Sequence, residues 1–216
     1  MKKVVLIGDS TRMGYDKFIK ESLEGVAEVY YAPENARFST NTLRFAHDWK
    51  TKGGWPSDID LVLWNVGLWD LLEMFGEGPL VPVEHYKYNI PRIDKRLRTL
   101  FPEAKMVFVT SVSVLEERYK PGDKFIRRNA LIEEYNKEAL DALKVTDTKI
   151  FDLYTLTKDA PASYRTDAVH FYTDEGRAFV GNLVLDFITA ELGISQEEIK
   201  AAAGERENYS VDNVGF

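Results

Sequence analysis

The chain has 216 residues, 44% of them hydrophobic, and its 28 basic and 35 acidic side chains give a formal net charge of −7. This composition is typical of one globular domain, and an acidic balance without a long basic stripe argues against nucleic-acid binding. The chain contains no cysteine, which excludes disulfides, thiolate metal ligands and a cysteine nucleophile.

Strands and helices alternate along the predicted chain. Unbroken apolar or β-branched runs predict five strands, over residues 3–7, 26–31, 59–66, 105–112 and 149–153. Helical spacing of apolar side chains predicts five helices, over residues 14–24, 42–49, 83–100, 127–143 and 173–192. Strands that are apolar on both faces belong inside a parallel sheet. The pattern therefore predicts a doubly wound α/β sandwich with a five-stranded parallel sheet.

The predicted domain covers residues 1–193, and residues 194–216 form an appended short helix and tail. The tail opens with Ser195-Gln196-Glu197-Glu198, a capping-box pattern that predicts a helix through Ala203. The four apolar residues before Gly8 are too few for the core of a secretory signal, and no stretch approaches the roughly 20 apolar residues of a membrane span. We therefore expect no membrane span and, by default, a cytoplasmic location.

Two short motifs carry the chemistry. Gly8-Asp9-Ser10 directly follows the first predicted strand, and Asp167-Ala168-Val169-His170 follows the last. A serine hydroxyl becomes a good nucleophile when a base removes its proton, and a carboxylate three residues before a histidine can orient the imidazole. The chain has only two other histidines, His47 and His85, which lie in predicted helices and are more simply surface or structural residues. The pattern favours an esterase.

These residues resemble the SGNH or GDSL hydrolases, in which Gly-Asp-Ser follows the first strand and Asp-x-x-His precedes the last helix. The resemblance covers about residues 3 to 192. It implies a flavodoxin-like three-layer α/β/α sandwich, Ser10 as nucleophile, His170 as base, Asp167 as its partner and ester substrates. Asp9 would by the same resemblance be structural.

The oxyanion hole departs from that family's pattern, which indicates a subgroup with altered second and third blocks. The Ser10 N–H, at the start of a helix, is a natural first donor. The family's second donor is a glycine N–H after the second strand, but residues 35–41 contain no glycine, so a backbone amide of Ser39 or Thr40 is predicted instead.

The third block of the family reads Gly-x-Asn-Asp, and here Trp69 stands in the asparagine position of Gly67-Leu68-Trp69-Asp70. Asn65, at the same strand end, is the predicted donor. The indole N–H of Trp69 is the competing donor. In the alternative interpretation, Asn65 only bonds to backbone and Trp69 only fills the core.

Several side chains near these motifs are candidates for substrate binding: Arg12, Arg37, Trp69, Phe171 and Tyr172. Arg12 could bind an anionic or hydroxyl-rich substrate, and exposed aromatic rings such as Trp69 and Phe171 could stack on a sugar. Surface charge and core packing are the simpler interpretation of the same residues. The segments 73–82 and 116–124 follow the third and fourth strands and are predicted to form a partial lid.

The sequence thus predicts a serine esterase that forms an acyl-enzyme on Ser10, with a small-molecule or glycan ester as substrate. The family resemblance favours short acyl groups, above all O-acetyl groups on carbohydrates. Lysophospholipase or thioesterase activity, and a non-catalytic binding protein of the same fold, remain the alternatives, and a homo-oligomer stays open. No cofactor is expected, since the histidines do not form a metal-binding cluster and the glycine spacing does not match a phosphate-binding loop.

Overall fold

The computed structural model describes the backbone of residues 1–208 and the side chains of residues 1–203. In chain order, its strands are β1 (Lys2–Ile7), β2 (Ala27–Tyr31), β3 (Leu61–Trp64), β4 (Glu73–Met74), β5 (Lys105–Val109), β6 (Phe125–Ile126) and β7 (Lys149–Phe151). Five of them form a parallel sheet in the order β2-β1-β3-β5-β7. This is the flavodoxin-like order, so the predicted five-stranded parallel sheet is confirmed.

Helices cover both faces of this sheet. They are α1 (Ser10–Ser22), α2 (Ser39–Gly53), α3 (Val83–Leu100), α4 (Asn129–Leu143), α5 (Leu153–Thr157), α6 (Asp174–Leu192) and α7 (Gln196–Asn208). Helix α1 packs against α6, while α2 packs against α3 and α3 against α4. Right-handed crossovers place these two groups on opposite faces, which gives the predicted three-layer sandwich.

The centre of the sheet is fully apolar. All four residues of β3 are buried, as are residues 4–7 of β1, because both strands are covered on both faces. Trp64 packs edge to face on Phe108 of the neighbouring β5, with 4.9 Å between ring centroids. Ile7 and Trp64 are register partners, so the carboxyl ends of β1 and β3 lie side by side. The chain leaves β1 towards β2 on one side and reaches β3 on the other, which is the point where such sheets bind ligands.

Polar caps explain where several boundaries differ from prediction. Helix α1 begins at Ser10, earlier than residue 14, because the Asp9 side chain accepts a hydrogen bond from the Thr11 N–H and caps the helix. Strand β7 ends at Phe151, before residue 153, because Asp152 caps α5 in the same way through the Thr155 N–H. The short helix α5 was not predicted.

The first predicted lid segment, residues 73–82, is joined to the end of the second, residues 116–124, and to the two residues that follow it: the Phe75 N–H donates to the Lys124 carbonyl oxygen at 2.9 Å. Glu73 pairs with Ile126 and Met74 with Phe125 in an antiparallel two-stranded sheet, here called the β4–β6 ribbon. The exposed rings of Phe75 and Phe125 meet edge to face at 5.9 Å beside it. Both strands of the ribbon follow carboxyl ends of the main sheet, so the ribbon stands on the same edge as Ser10.

The capping box of the tail forms as predicted. The Ser195 N–H donates to Glu198 Oε2 at 2.7 Å, and the Glu198 N–H donates to Ser195 Oγ at 3.2 Å. Phe216 and the rest of residues 209–216 lie outside the described part of the chain. Among the described helices none is by itself long and apolar enough to cross a membrane, although α6 and residues 196–203, bent by 111°, pass together on length and composition.

Candidate active site

Ser10 stands where β1 gives way to α1, half-buried at the carboxyl edge of the sheet. The preceding Gly8 lets neighbouring groups approach the backbone closely: a Cβ there would overlap the Asn65 side chain and press on Arg12. Asp9 is fully buried and fastens the start of α1 through the Thr11 N–H, 2.9 Å from its Oδ1. The loop that carries the hydroxyl is therefore fixed from both sides.

The structure brings together the three residues of the two motifs. Ser10 Oγ lies 2.9 Å from His170 Nε2, and His170 Nδ1 lies 2.7 Å from Asp167 Oδ2. The other oxygen of Asp167 accepts the backbone N–H groups of Val169, at 2.7 Å, and His170, at 2.8 Å. This tight turn explains how a spacing of three residues lets the carboxylate reach the imidazole.

Electrostatics keep the Asp167 carboxylate charged. Partial burial raises its pKa, but the hydrogen bonds from the His170 ring and from the two backbone N–H groups lower it further, and the net pKa lies below its ordinary value. An ionised carboxylate at Nδ1 places the Nδ1 proton towards Asp167 and leaves Nε2 free to accept a proton from Ser10.

Tyr172 contacts both Ser10 and His170. Its hydroxyl donates to the Ser10 carbonyl oxygen at 2.7 Å, and its ring lies against the His170 imidazole with 4.8 Å between centroids. Sequence reasoning noted Tyr172 only as a nearby aromatic ring. Its place two residues after His170 was the signal that could have identified this supporting contact.

The backbone N–H groups near Ser10 differ in whether they already have an acceptor. The N–H groups of Ser10 and Thr40 lie in the first turns of α1 and α2, where N–H groups have no acceptor within the helix. The Ser39 N–H instead donates to both oxygens of Asp70, at 3.1 and 3.0 Å. The expectation that Ser39 offers a free amide is therefore corrected, because this N–H is already bound, and Thr40 is the remaining candidate in this segment.

Asn65 is 3% exposed, and its Oδ1 is buried without a hydrogen-bond partner. Its NH2 group likewise donates no hydrogen bond within the described structure. It lies over Gly8, two residues from the serine. Trp69 is half-buried and packs edge to face against Phe38, with centroids 5.6 Å apart. The Asn65 amide lies close to the loop that carries Ser10, whereas the indole of Trp69 forms an aromatic wall with Phe38.

Asp70 forms a second polar cluster beneath this wall. It is fully buried and accepts the Ser39 hydroxyl at 2.6 Å, while the Asn89 amide donates to the same hydroxyl at 3.0 Å. Burial raises the pKa of Asp70 to about 7, although the hydrogen bonds from Ser39 lower it in part. The cluster ties the start of α2 to the loop after β3.

Two predicted substrate-binding residues are buried, and those predictions are wrong. Arg12 is 1% exposed, forms an ion pair with Asp16 inside α1 and donates to the Glu34 carbonyl oxygen at 2.7 Å. Phe171 is 5% exposed and packs under the guanidinium of Arg165, 3.9 Å from its ring centroid. Neither side chain is available for a substrate, since each is enclosed by its own partners.

The other noted residues lie on the surface. His47 and His85 are exposed, as expected for surface histidines. Arg37 is exposed and adopts a left-handed backbone with φ of 54°, held by the Asn35 side chain, which accepts its N–H at 2.8 Å. Within the described residues, no group of three or more histidine, aspartate or glutamate side chains is placed to hold a metal ion.

No family model and no curated protein matches this sequence. Solved structures do match. A lipase/acylhydrolase from Enterococcus faecalis is 18% identical, with a TM-score of 0.67 over 88% of this chain and 96% of its own. An acetyl xylan esterase is 17% identical, with a TM-score of 0.65 over 86% of this chain and 99% of its own.

A GDSL-like lipase from Bacteroides thetaiotaomicron is 15% identical, with a TM-score of 0.64 over 88% of both chains. At these identities the likeness concerns the fold. The chain therefore has the fold of the GDSL-like lipases, as the motif resemblance predicted.

Proposed function

We propose that this protein is a serine ester hydrolase with Ser10 as nucleophile, His170 as general base and Asp167 as the carboxylate that orients it. The observation that carries the proposal is the unbroken chain of contacts from Ser10 Oγ to His170 Nε2, at 2.9 Å, and from His170 Nδ1 to Asp167, at 2.7 Å. This order of hydroxyl, imidazole and carboxylate is the arrangement that acyl transfer requires.

The reaction follows from these positions. Ser10 Oγ attacks the ester carbonyl carbon while its proton passes to His170 Nε2, and Asp167 stabilises the resulting imidazolium. The oxyanion is held by the N–H groups of Ser10 and Thr40 and by the Asn65 amide. His170 then gives the proton to the departing alcohol oxygen. A water molecule attacks the acyl-serine with His170 as base, which releases the acid and restores Ser10.

For the substrate we propose a short acyl ester, in particular an O-acetyl group on a carbohydrate. The half-buried ring of Trp69 packs against Phe38 in the loop after β3, at the same edge of the sheet as Ser10, and offers an apolar face on which a sugar ring can stack. An acetyl xylan esterase is among the proteins that share the fold. Phe171 and Arg12 take no part in the proposed site because both are enclosed by their own partners, Phe171 by Arg165 and Arg12 by Asp16 and Glu34.

Hydrolysis of p-nitrophenyl acetate tests the reaction. We expect Ser10→Ala and His170→Ala each to reduce kcat/KM by at least about 10³-fold. His47→Ala is the matched control, because this histidine is exposed on α2 and makes no contact with Ser10. Wild-type turnover no faster than that of Ser10→Ala and His170→Ala, across several acyl lengths, would show a non-catalytic protein of the same fold.

An acyl-length series then tests the substrate class. We expect acetate esters to be turned over faster than octanoate or palmitate esters, and acetylated xylan to release acetate in a Ser10-dependent manner. Faster turnover of lysophosphatidylcholine or of acyl thioesters would instead identify a lysophospholipase or a thioesterase and overturn the carbohydrate proposal.

A further inference from the structure

Arg127 is a cation at the active-site edge whose role the proposed reaction does not explain. It lies between the β4–β6 ribbon and α4, and it is only partly exposed. Its Nε donates to the Leu68 carbonyl oxygen at 2.6 Å, and its backbone N–H donates to the Tyr119 hydroxyl at 3.3 Å. These contacts fix the base of the guanidinium, and the Tyr119 hydroxyl also interacts with the guanidinium itself. No carboxylate among the described residues pairs with its two terminal nitrogens.

Both contacts place this side chain near loops that belong to the proposed site. Leu68 immediately precedes Trp69 in the loop after β3. Tyr119 follows Arg118, whose Nη1 donates to the Asp167 carbonyl oxygen at 2.8 Å. Arg127 therefore lies between the loop that carries Trp69 and the segment that contacts the Asp167 loop.

The charge of Arg127 has no direct counter-ion among the described residues. Burial lowers its pKa, and the Tyr119 side chain, together with the more distant charges of Asp9 and Asp167, raises it only in part. Its neighbour Arg128 differs, because it is exposed and pairs with Glu73 at 2.8 Å. A partly desolvated cation without an ion pair is costly, and a carboxylate that approaches it recovers that cost. The planar fork of a guanidinium binds a carboxylate with two parallel hydrogen bonds.

We infer that Arg127 is a specificity-determining residue that binds a carboxylate of the substrate, carried by either the acyl or the alcohol part of the ester. The inference rests on the proposed function, which supplies the ester. It assigns to Arg127 the anion recognition that the sequence suggested for the buried Arg12. Hydrolysis of neutral acetyl esters then measures the activity of Ser10 and His170, and the preference for esters with a carboxylate measures the contribution of Arg127.

Two matched pairs of esters locate the carboxylate. On the acyl side, p-nitrophenyl succinate is compared with p-nitrophenyl butyrate, and on the alcohol side 4-acetoxybenzoate is compared with 4-acetoxybenzamide. We expect Arg127→Gln to lower the ratio of kcat/KM for the charged to the neutral ester by about 10- to 100-fold in one pair, as loss of a charge-assisted bidentate contact predicts. Arg128→Gln, one residue away, should keep the wild-type ratio.

An unchanged ratio in both pairs for Arg127→Gln would overturn the inference, while Ser10-dependent hydrolysis of p-nitrophenyl acetate would leave the proposed function intact. If Arg127→Gln does not fold, Arg127→Lys is the second test. Lysine keeps the positive charge but lacks the planar guanidinium, so it should lower the ratio of kcat/KM for the charged to the neutral ester by a smaller factor. Binding of free succinate and of 4-hydroxybenzoate to Ser10→Ala, measured by calorimetry, needs no turnover. One of them should bind at least tenfold more weakly to the double variant Ser10→Ala/Arg127→Gln, and equal binding of both would also overturn the inference.

Discussion

Ser10 and Ser39 occupy equivalent places in the fold and have different surroundings. Each is the first residue of a helix at the carboxyl edge of the sheet, and each hydroxyl has a close partner. Ser10 is half-buried and faces the His170 imidazole at 2.9 Å, whereas Ser39 is fully buried and donates to the Asp70 carboxylate at 2.6 Å. A helix start and a serine are therefore insufficient for nucleophilic chemistry. The hydroxyl also needs access and a base that can accept and return its proton.

The two carboxylates differ as much as the two serines. The side chain of Asp167 is 53% exposed and its pKa lies below its ordinary value, because hydrogen bonds from His170 and the backbone outweigh burial. Asp70 is fully buried and its pKa is raised to about 7. Asp167 can thus stabilise a developing imidazolium at neutral pH. Asp70 is better placed to hold the start of α2.

The largest expected effect comes from Asp167→Asn. The amide is uncharged and cannot stabilise the His170 imidazolium, so we expect kcat on p-nitrophenyl acetate to fall by about 10²- to 10⁴-fold with the fold intact. Asp159→Asn, an exposed change outside the site, is the control. A loss smaller than tenfold would show that the exposed carboxylate contributes little, and the contrast with Asp70 would disappear.

Asn65→Ala should have the next largest effect. Loss of one oxyanion donor lowers kcat by about 10²- to 10³-fold in comparable sites. Trp69→Phe removes the indole N–H and keeps an aromatic ring. We expect it to lower kcat by less than about tenfold, because the oxyanion donor is assigned to Asn65 and not to the indole. Steady-state kinetics of the two variants separate the candidates. The reverse order of losses would assign the donor to Trp69.

Ser39→Ala should affect stability more than chemistry. The buried Asp70 would lose a hydroxyl donor and the Asn89 amide an acceptor, which costs about 1 to 3 kcal/mol of unfolding free energy. Ser10→Ala, at a half-buried position, should change that free energy by less than about 0.5 kcal/mol. Urea denaturation followed by circular dichroism compares the two variants. Equal losses would contradict the assignment of Ser39 to a structural cluster.

The last prediction concerns how the free energy of unfolding changes with pH. The pKa of Asp70 rises from an ordinary 3.8 to about 7 on folding, so between these values the folded protein holds a proton that the unfolded chain has released. This group therefore makes stability fall as pH rises from about 4 to about 7. Asp70→Asn should flatten the dependence in urea denaturation at pH 5 and pH 8. An identical slope in wild type and variant would show that Asp70 does not titrate in this range.

The contacts between Ser10, His170 and Asp167 could be predicted because their signals are local. A strand end before Ser10 and a spacing of three residues between Asp167 and His170 are visible in the sequence, and the strand order then brings the two ends together. The error at Arg12 was avoidable. Positions two apart on an α-helix point about 200° away from each other, so a residue two after an outward-facing Ser10 faces inward.

Other features depend on contacts between distant segments and could not be predicted. The burial of Phe171 depends on the guanidinium of Arg165 above its ring. The Ser39 N–H is unavailable as an oxyanion donor because it donates to Asp70. The position of Arg127 follows from a hydrogen bond to Leu68, 59 residues away. Neither hydrophobic periodicity nor motif spacing carries information of this kind.

The β4–β6 ribbon restricts where residues can be inserted into the segments beside the proposed active site. Its two strands lie about fifty residues apart in the chain, yet Glu73 is in register with Ile126 and Met74 with Phe125. A single residue inserted into either strand would reverse the faces of its side chains relative to the partner. Changes of loop length are therefore tolerated only beyond the paired residues, at the tips of the two segments. Variants that accept bulkier esters should carry their insertions at these tips and retain the paired core.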